Sequence, residues 1–284
     1  MDQLNTNSTE YHESLGVAAP ALGWIPAPRY SMRRARVLNL VGAGTGRFLD
    51  IGCGPGGLLV DLAQMGWRAE GLESSAFALE VGRLILANNS GIVLHGEPEN
   101  NWRGKFDCIS ALEVLEHIDD DAAALRDWAE WLKPGGMAVL AVPAHQWMWN
   151  AGDLRAGHFR RYSRKHLIAV VEAAGLRVER CEYYGFPLAT IIEFLRFGPP
   201  RSVLSRLARL FGSKRATSGS DAEDSRTMAQ KTAEIGTDRS QFVKYWPLCK
   251  TWPYVAMLKV MIALQATPLL GRLGNGLIVV ARKR

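Results

Sequence analysis

The sequence has few cysteines and no long uncharged apolar segment. Its four cysteines, Cys53, Cys108, Cys181 and Cys249, are far apart and form no Cys-x-x-Cys pair, so the pattern predicts neither a disulfide framework nor a zinc site. No apolar run reaches the roughly 18 residues of a membrane-spanning helix. Residues 1–14 lack the basic and apolar regions of a signal peptide. We therefore expect a reduced, cytoplasmic protein without a bound metal ion.

Basic residues are concentrated in one part of the chain. The formal net charge is +6, and residues 155–215 hold thirteen Lys and Arg against four Asp and Glu. Such a surface suits an anionic partner, although a solvated basic face is the commoner explanation. The sequence contains no recognised nucleic-acid-binding module, so nucleic acid is not expected as a partner.

Strand and helix patterns alternate along residues 30–184. Apolar runs predict strands at 68–72, 92–95, 106–112, 137–142 and 176–184, in addition to a first strand that ends in the acidic residue Asp50. Amphipathic segments between these runs predict helices. This alternation indicates an α/β fold with a mostly parallel sheet and helices on both faces.

The sequence predicts that the chain divides into four segments. Residues 1–29 are expected to form an N-terminal arm, loose up to about residue 20, and residues 30–184 the core. We expect residues 185–274 to form a helical insertion with a mobile loop at about 212–239, and residues 275–284 to return as the last strand. Within the insertion, 201–211 is a basic amphipathic segment, for which we predict a lid or, as the alternative, peripheral membrane contact through 186–211.

A glycine-rich turn follows the first strand. Gly52, Gly54 and Gly57 fit the pattern GxGxxG, whereas Gly52, Gly54 and Gly56 fit GxGxG. Glycine lets the backbone approach a ligand closely, and the following helix presents its positive end. Glu73, at the end of the second strand, suits ribose hydroxyls. These residues alone leave open which nucleotide-like cofactor binds.

Four ordered motifs resemble those of class I S-adenosylmethionine (SAM)-dependent methyltransferases. They are residues 49–54, 71–75, 111–118 and 132–136. The resemblance covers about residues 30–184 and implies a Rossmann-like, seven-stranded sheet whose last strand is antiparallel. The insertion between strands six and seven departs from the minimal family pattern. Because a dinucleotide dehydrogenase is not expected to carry the last two motifs, the resemblance favours SAM as the cofactor.

The resemblance also implies a set of cofactor-binding residues. The glycines would meet the methionine portion of SAM, the residues after strand three its adenine, and those after strand four its methionine side. The set comprises Asp50, Gly52, Cys53, Gly54, Gly56, Glu73, Ser74, Gly96, Glu97, Leu112, Glu113 and His117. Local packing is an equal interpretation for His117, and Glu116 is interpreted as a helix-dipole residue.

The segment after strand five is the predicted acceptor site. His145 and His158 are the candidate bases for removing a hydroxyl proton, and Asp153 is their predicted orienting partner. Arg160, Arg161 and Tyr162 follow in a Gly-His-x-Arg-Arg-Tyr pattern that resembles a bacterial subgroup of these enzymes, and we predict that they bind substrate. For each residue, a structural role in holding the loop is the alternative.

The leading hypothesis is methyl transfer from SAM to a hydroxyl group, with an amine as the second choice, of a small-molecule, sugar or lipid-linked acceptor. Two alternatives stay open at this point. One is an NAD-dependent oxidoreductase that uses the same turn, and the other is a non-catalytic SAM-binding partner subunit. The identity of the acceptor and the oligomeric state do not follow from the sequence.

Overall fold

A computed structural model describes residues 9–197, 239–267 and 272–284. Its strands are β1 Glu10–His12, β2 Gly16–Ala18, β3 Arg47–Ile51, β4 Arg68–Leu72, β5 Val93–His95, β6 Phe106–Leu112, β7 Leu132–Pro143, β8 Leu176–Tyr184 and β9 Gly276–Lys283. Its helices are α1 Pro28–Val41, α2 Gly57–Gln64, α3 Ala76–Ile85, α4 Asp121–Trp131, α5 Ala151–Ala156, α6 Arg164–Ala173, α7 Leu188–Phe197, α8 Trp246–Cys249 and α9 Trp252–Gln265.

Seven strands form one sheet in the order β5-β4-β3-β6-β7-β9-β8. Neighbouring strands from β5 to β7 are parallel, whereas β9 runs antiparallel to both β7 and β8. The predicted fold class is therefore confirmed, including the antiparallel last strand. The strand order reverses between β3 and β6, and in open α/β sheets ligands bind in the crevice at the carboxyl ends of such strands.

Apolar side chains cover both faces of the sheet. Along β7, residues 137–142 are all buried, which is the continuous pattern of a strand covered on both sides. Leu140 joins the cluster around Trp102 and Phe106 on one face, and Val139 joins the cluster around Phe48 and Leu59 on the other. The core consequently holds the carboxyl ends of β3, β6 and β7 in fixed positions.

The N-terminal segment differs from the predicted loose arm. β1 pairs antiparallel with β2, and Leu15 and Val17 are buried. Arg34 of α1 donates from Nε and Nη2 to the two carboxylate oxygens of Asp61 at 2.6 Å each, and Tyr11 donates to the same carboxylate at 3.1 Å. The prediction is wrong for residues 9–20 because the partners that order them belong to α1 and α2 and are distant in the sequence.

The insertion packs beside α1. Met32 of α1 shares a buried apolar cluster with Leu15, with Ala189 of α7, and with Trp246 and Leu258 of α8 and α9. The predicted basic segment 201–211 and the predicted loop up to residue 238 lie outside the described residues. Among the helices of the described ranges, none is both long and apolar enough to cross a bilayer.

Candidate functional site

The glycine-rich turn lies between β3 and α2, at the carboxyl edge of the sheet. Gly52, Gly54 and Gly56 all have positive φ values, of 65°, 55° and 76°. A Cβ atom on Gly52 would stand 2.4 Å from Cγ2 of Val114, whereas one on Gly54 would meet no described atom within 4 Å. Gly52 is thus required for packing inside the protein, and Gly54 exposes its backbone to space that no described atom fills.

Glu73 connects this turn to the end of β4. Its Oε2 accepts a hydrogen bond from the Gly54 amide at 2.8 Å, and its Oε1 accepts one from the Ser75 amide at the same distance. Each carboxylate oxygen retains a further lone pair, so Glu73 can accept hydrogen bonds from a ribose diol without releasing the turn. Ser74, beside it, is exposed.

Asp50 lies behind the turn and is only 4% exposed. Burial raises the pKa of its carboxyl to about 7, against the opposing effect of a 2.5 Å hydrogen bond from Ser110 Oγ. Folding therefore favours the protonated form of Asp50. A cationic group placed in the crevice would favour the ionised form instead.

We expect Asp50→Asn to reveal this pKa in the pH dependence of stability. A carboxyl with a raised pKa in the folded state destabilises the fold as pH rises from its unfolded pKa, about 3.9, to about 7. The free energy of unfolding of the variant minus that of the wild type should therefore increase by about 2–3 kcal/mol between pH 5 and pH 8. Urea unfolding of the ligand-free proteins measures it, and a difference independent of pH would contradict the assignment.

Two buried hydrogen-bond donors lie beside the start of α2. Within the described residues, Tyr30 Oη and Trp24 Nε1 have no hydrogen-bond partner. They lie 2.9 and 4.0 Å from the position of a Cβ on Gly57. Unpaired buried donors are costly, and together with the helix N-terminus they suit a carboxylate such as that of SAM. Sequence reasoning missed Trp24, because its position depends on pairing with Ala19 after the N-terminal hairpin.

Glu113 follows β6 and anchors α1 over the crevice. Its backbone has a φ of 63°, and its amide donates to the Ala141 carbonyl at 2.7 Å. Its carboxylate accepts from Tyr184 Oη at 2.5 Å and pairs with Arg29 at 2.9 Å and Arg33 at 3.6 Å. Burial acts to raise the pKa of Glu113, but the two guanidinium groups outweigh it and hold the pKa at about 2. Glu113 therefore stays ionised.

The remaining predicted cofactor residues have different surroundings. Leu112 closes β6, and Gly96 and Glu97 are exposed after β5. Cys53 lies against Gly71, and burial raises the pKa of its thiol well above the usual range. Cys53 consequently packs as an uncharged side chain beside the turn.

Asp153 and His158 form the predicted pair in the loop after β7. His158 Nδ1 lies 2.8 Å from Asp153 Oδ1. Asp153 is 2% exposed and also accepts from Arg161 Nε and from the Asn150 amide, each within 3.0 Å. Its carboxylate therefore fixes the orientation of the His158 ring.

His145 occupies a different environment from His158. Its ring stacks on Tyr183 with a centroid distance of 4.9 Å and an interplanar angle of 8°. Burial lowers the pKa of His145, and hydrogen bonding with the backbone of Arg272 and Gly274 opposes this shift. Its φ of 62° shows that the backbone is held in a left-handed conformation. These contacts indicate that His145 stabilises the loop.

Arg160, Arg161 and Tyr162 bind other parts of the protein. Arg161 is 5% exposed and pairs with Asp153 and Glu193, while Tyr162 is fully buried and donates to Asp121 at 2.7 Å. Arg160 pairs with the same Asp121 carboxylate at 2.8 Å. The structure thus favours the structural alternative over the predicted substrate contacts, because the polar atoms of Arg161 and Tyr162 face the interior.

Glu116 and His117 lie in a short 3₁₀ turn, Leu115–His117, after β6. Glu116 is completely buried, so its interpretation as a helix-dipole residue is wrong. Burial raises its pKa well above the usual range, and the charge of Glu113 raises it further. Burial also lowers the pKa of His117 to about 4, with the neighbouring His158 acting in the same direction. The pKa values of both side chains are therefore shifted far from their usual ranges, and both residues lie beside the crevice.

Comparisons with known proteins agree with this geometry. A methyltransferase domain family matches residues 27–180, more than half of the chain. A ubiquinone biosynthesis O-methyltransferase of Chelativorans sp. (strain BNC1) is 39% identical over 101 residues, which are 34% of this chain and 40% of that protein. A protein of the same name from Bradyrhizobium diazoefficiens is 32% identical over 153 residues, which are 49% of this chain and 59% of that protein. The chain thus spans about two fifths to three fifths of the length of these relatives.

A solved structure supports the fold. Phosphoethanolamine N-methyltransferase 2 of Haemonchus contortus, in complex with S-adenosyl-L-methionine, superposes with a TM-score of 0.50 at 16% identity, over 88% of this chain and 52% of that chain. The family match includes the glycine-rich turn, which sets aside the NAD-dependent alternative. The chain therefore belongs to the class I SAM-dependent methyltransferases.

Proposed function

We propose that this protein transfers a methyl group from SAM to a hydroxyl group of a small-molecule acceptor. The observation that carries the proposal is the Asp153–His158 pair, at 2.8 Å, in the loop that follows β7 at the carboxyl edge of the sheet. The relatives named O-methyltransferases support a hydroxyl as the acceptor group. SAM, as the family cofactor, supplies the methyl group when bound.

Some residues of the protein bind the cofactor, and others accept the proton of the acceptor hydroxyl. The glycine turn and Glu73 hold the cofactor side, while Arg29, Arg33 and Glu113 fix α1 against the crevice. On the acceptor side, Asp153 orients the His158 ring, so that Nε2 is the nitrogen available to the acceptor hydroxyl. His158 is thereby a better placed proton acceptor than His145, whose ring stacks on Tyr183.

His158→Gln and His145→Gln distinguish the two predicted bases. We expect His158→Gln to lower the rate of methyl transfer by about 10²–10⁴-fold, with SAM affinity unchanged, and His145→Gln to lower it less than about tenfold. The assay is a mass-spectrometric search for products that gain one CH₂ when cell extract is incubated with protein and SAM. Phenolic, sugar and lipid-linked alcohols then serve as purified acceptors.

The outcomes separate the remaining alternatives. SAM binding without any methylated product would support the non-catalytic partner subunit. Products methylated only on nitrogen would contradict the hydroxyl proposal, and equal rates for the two histidine variants would contradict the role of His158.

A lipid-linked acceptor and membrane contact through 186–211 stay predictions. Sedimentation of the full chain with anionic vesicles tests the membrane contact, and no co-sedimentation would overturn it.

A further inference from the structure

We propose that Arg239, which belongs to the insertion, binds an anionic ligand group together with Trp24, Tyr30 and the first turn of α2. The ligand group is a carboxylate or a phosphate. The proposed site concerns binding only, so it does not rest on methyl transfer to a hydroxyl group. The sequence patterns predict a binding role for none of these three side chains, because segments that are distant in the chain bring them together.

Arg239 has no carboxylate partner among the described residues. Its amide donates to the Gly23 carbonyl at 2.9 Å, and its Nη1 donates to the Ile25 carbonyl at 2.8 Å. The guanidinium carbon lies 4.0 Å from the centroid of the Trp24 ring and 5.9 Å from that of the Tyr30 ring. A guanidinium group that is removed from water without a counter-ion is unfavourable, and a bound anion would supply that counter-ion.

The electrostatic surroundings of Arg239 are positive. Burial lowers the pKa of Arg239 to about 10, the phenol of Tyr30 opposes this shift, and the guanidinium groups of Arg33 and Arg196 add to it. Arg33 lies 3.6 Å from the carboxylate of Glu113, so that carboxylate serves another guanidinium group. A negative charge beside Arg239 would favour its charged form and relieve the repulsion among these cations.

Two further hydrogen-bond donors lie at the start of α2. Nε1 of Trp24 and Oη of Tyr30 are buried and have no hydrogen-bond partner within the described ranges. Trp24 is only 4% exposed, and the two atoms lie 4.0 and 2.9 Å, respectively, from the position of a Cβ on Gly57. A buried donor without an acceptor costs free energy. An oxygen atom of a ligand at this point would satisfy both donors.

The first turn of α2 adds backbone donors to this set. Gly56 provides no side-chain cap, and no acidic residue lies in the first turn. The first amides of a helix have no partner within the helix, and the helix dipole places positive charge at this end. Asp61, in the next turn, is held by Arg34 at 2.6 Å. Backbone amides, an indole, a hydroxyl and a guanidinium group together select an anionic acceptor.

The anionic group has two possible sources. SAM, the cofactor of the family, carries a carboxylate on its methionine portion, and we propose that this portion lies at the glycine-rich turn before α2. The other source is an acidic acceptor molecule, whose carboxylate or phosphate would bind beside the cofactor. Both sources present the same chemistry to Arg239, so binding experiments are needed to separate them.

Calorimetric titration of the full chain tests the cofactor as the source. S-adenosylhomocysteine carries the carboxylate, whereas 5′-methylthioadenosine lacks the amino-acid portion but keeps the adenine, the ribose and the sulfur. If the cofactor supplies the anion, Arg239→Gln should weaken binding of S-adenosylhomocysteine about 10- to 100-fold and binding of 5′-methylthioadenosine less than about twofold. Tyr30→Phe removes a single hydroxyl group and should show the same selectivity with a smaller loss.

Inorganic phosphate tests the acceptor as the source. If the acceptor supplies the anion, the chain saturated with S-adenosylhomocysteine should bind phosphate, and Arg239→Gln should weaken that binding at least about tenfold. The affinity for S-adenosylhomocysteine should then be the same in the variant and in the wild type. This result would identify the acceptor as an acidic small molecule.

Arg196→Gln is the matched control. Arg196 belongs to the same insertion and also contacts aromatic rings, at 5.1 Å from the centroid of Phe197 and 5.2 Å from that of Phe242, but it is exposed. The variant removes the same charge without removing a donor from the proposed site, so both affinities should change less than about twofold. Urea unfolding checks that each variant is folded, and Tyr30→Phe decides the test if Arg239→Gln is not.

Unchanged affinities for both S-adenosylhomocysteine and phosphate in Arg239→Gln would overturn the proposed site, as would an equal loss in Arg196→Gln. The site and the proposed function also fail separately. A selective loss of ligand affinity in Arg239→Gln supports the site even if no methylated hydroxyl product is found. Methylated hydroxyl products together with unchanged ligand affinities would support the proposed function and reject the site.

Discussion

We expect Gly54→Val to lower the affinity for SAM at least about a hundredfold, which corresponds to roughly 2.7 kcal/mol of binding free energy. Gly54 has a φ of 55°, and a Cβ there would project into space that no described atom occupies within 4 Å. We propose that this space lies on the cofactor side of the turn, as the resemblance of the glycine motif to class I methyltransferases implies. The valine side chain would therefore occupy volume that the cofactor requires. Calorimetric titration with SAM measures the loss.

Gly104→Val is the matched control for this substitution. Gly104 has a φ of 63° and an equally open surrounding among the described residues, but it precedes β6 at the opposite edge of the sheet. Both variants introduce a β-branched residue in the left-handed region and should lose similar stability. Only Gly54→Val should lose SAM affinity. Equal affinity in the two variants would contradict the assignment of the turn to the cofactor.

Glu193→Ala should lower the free energy of unfolding by about 3–5 kcal/mol. Glu193 of α7 is 8% exposed. It accepts hydrogen bonds from Asn150 at 2.7 Å, from Asn275 at 2.5 Å and from Arg161. Its removal takes one hydrogen-bond acceptor from each of these buried donors and detaches the insertion from the acceptor loop. Urea unfolding measures the stability, and we expect methyl transfer to fall together with it.

Glu179→Ala provides the comparison for this carboxylate. Glu179 pairs with Arg177 at 2.9 Å and Arg282 at 3.2 Å, on the surface of the sheet, where all three side chains contact solvent. Exposed ion pairs contribute about 0–1 kcal/mol, so this variant should retain nearly all of the stability. A loss for Glu193→Ala no larger than that for Glu179→Ala would show that α7 does not anchor the loop.

Glu193 also connects the insertion to the candidate site. From the sequence, we predicted only a lid or a membrane contact for the insertion. Its carboxylate joins α7 to Asn150, Arg161 and Asn275, which belong to the acceptor loop and to the approach to β9. Arg161 in turn holds Asp153, the residue that orients His158. The position of His158 thus depends on a side chain of the insertion.

The sequence by itself determined the turns, strands and helices, because these depend on residues that are close together in the chain. Glycines at 52, 54 and 56 predict a turn that requires positive φ, and all three have it. The alternation of apolar strands and helices predicts the parallel sheet, because strand and helix periods differ and can be read over a few residues. Glu73 follows from the same reasoning, since it ends the strand next to the turn.

Tertiary structure alone decided which distant side chains meet and what each can do. Asp153 meets His158 within one loop, and the sequence predicted that pair. Glu116, by contrast, became a buried carboxyl group without a hydrogen-bond partner among the described residues because the turn that holds it lies against the loop after β7. Arg161 became structural because Glu193 approaches it from the insertion. Burial and long-range pairing set these chemical states, and neither can be read from the neighbours of a residue along the chain.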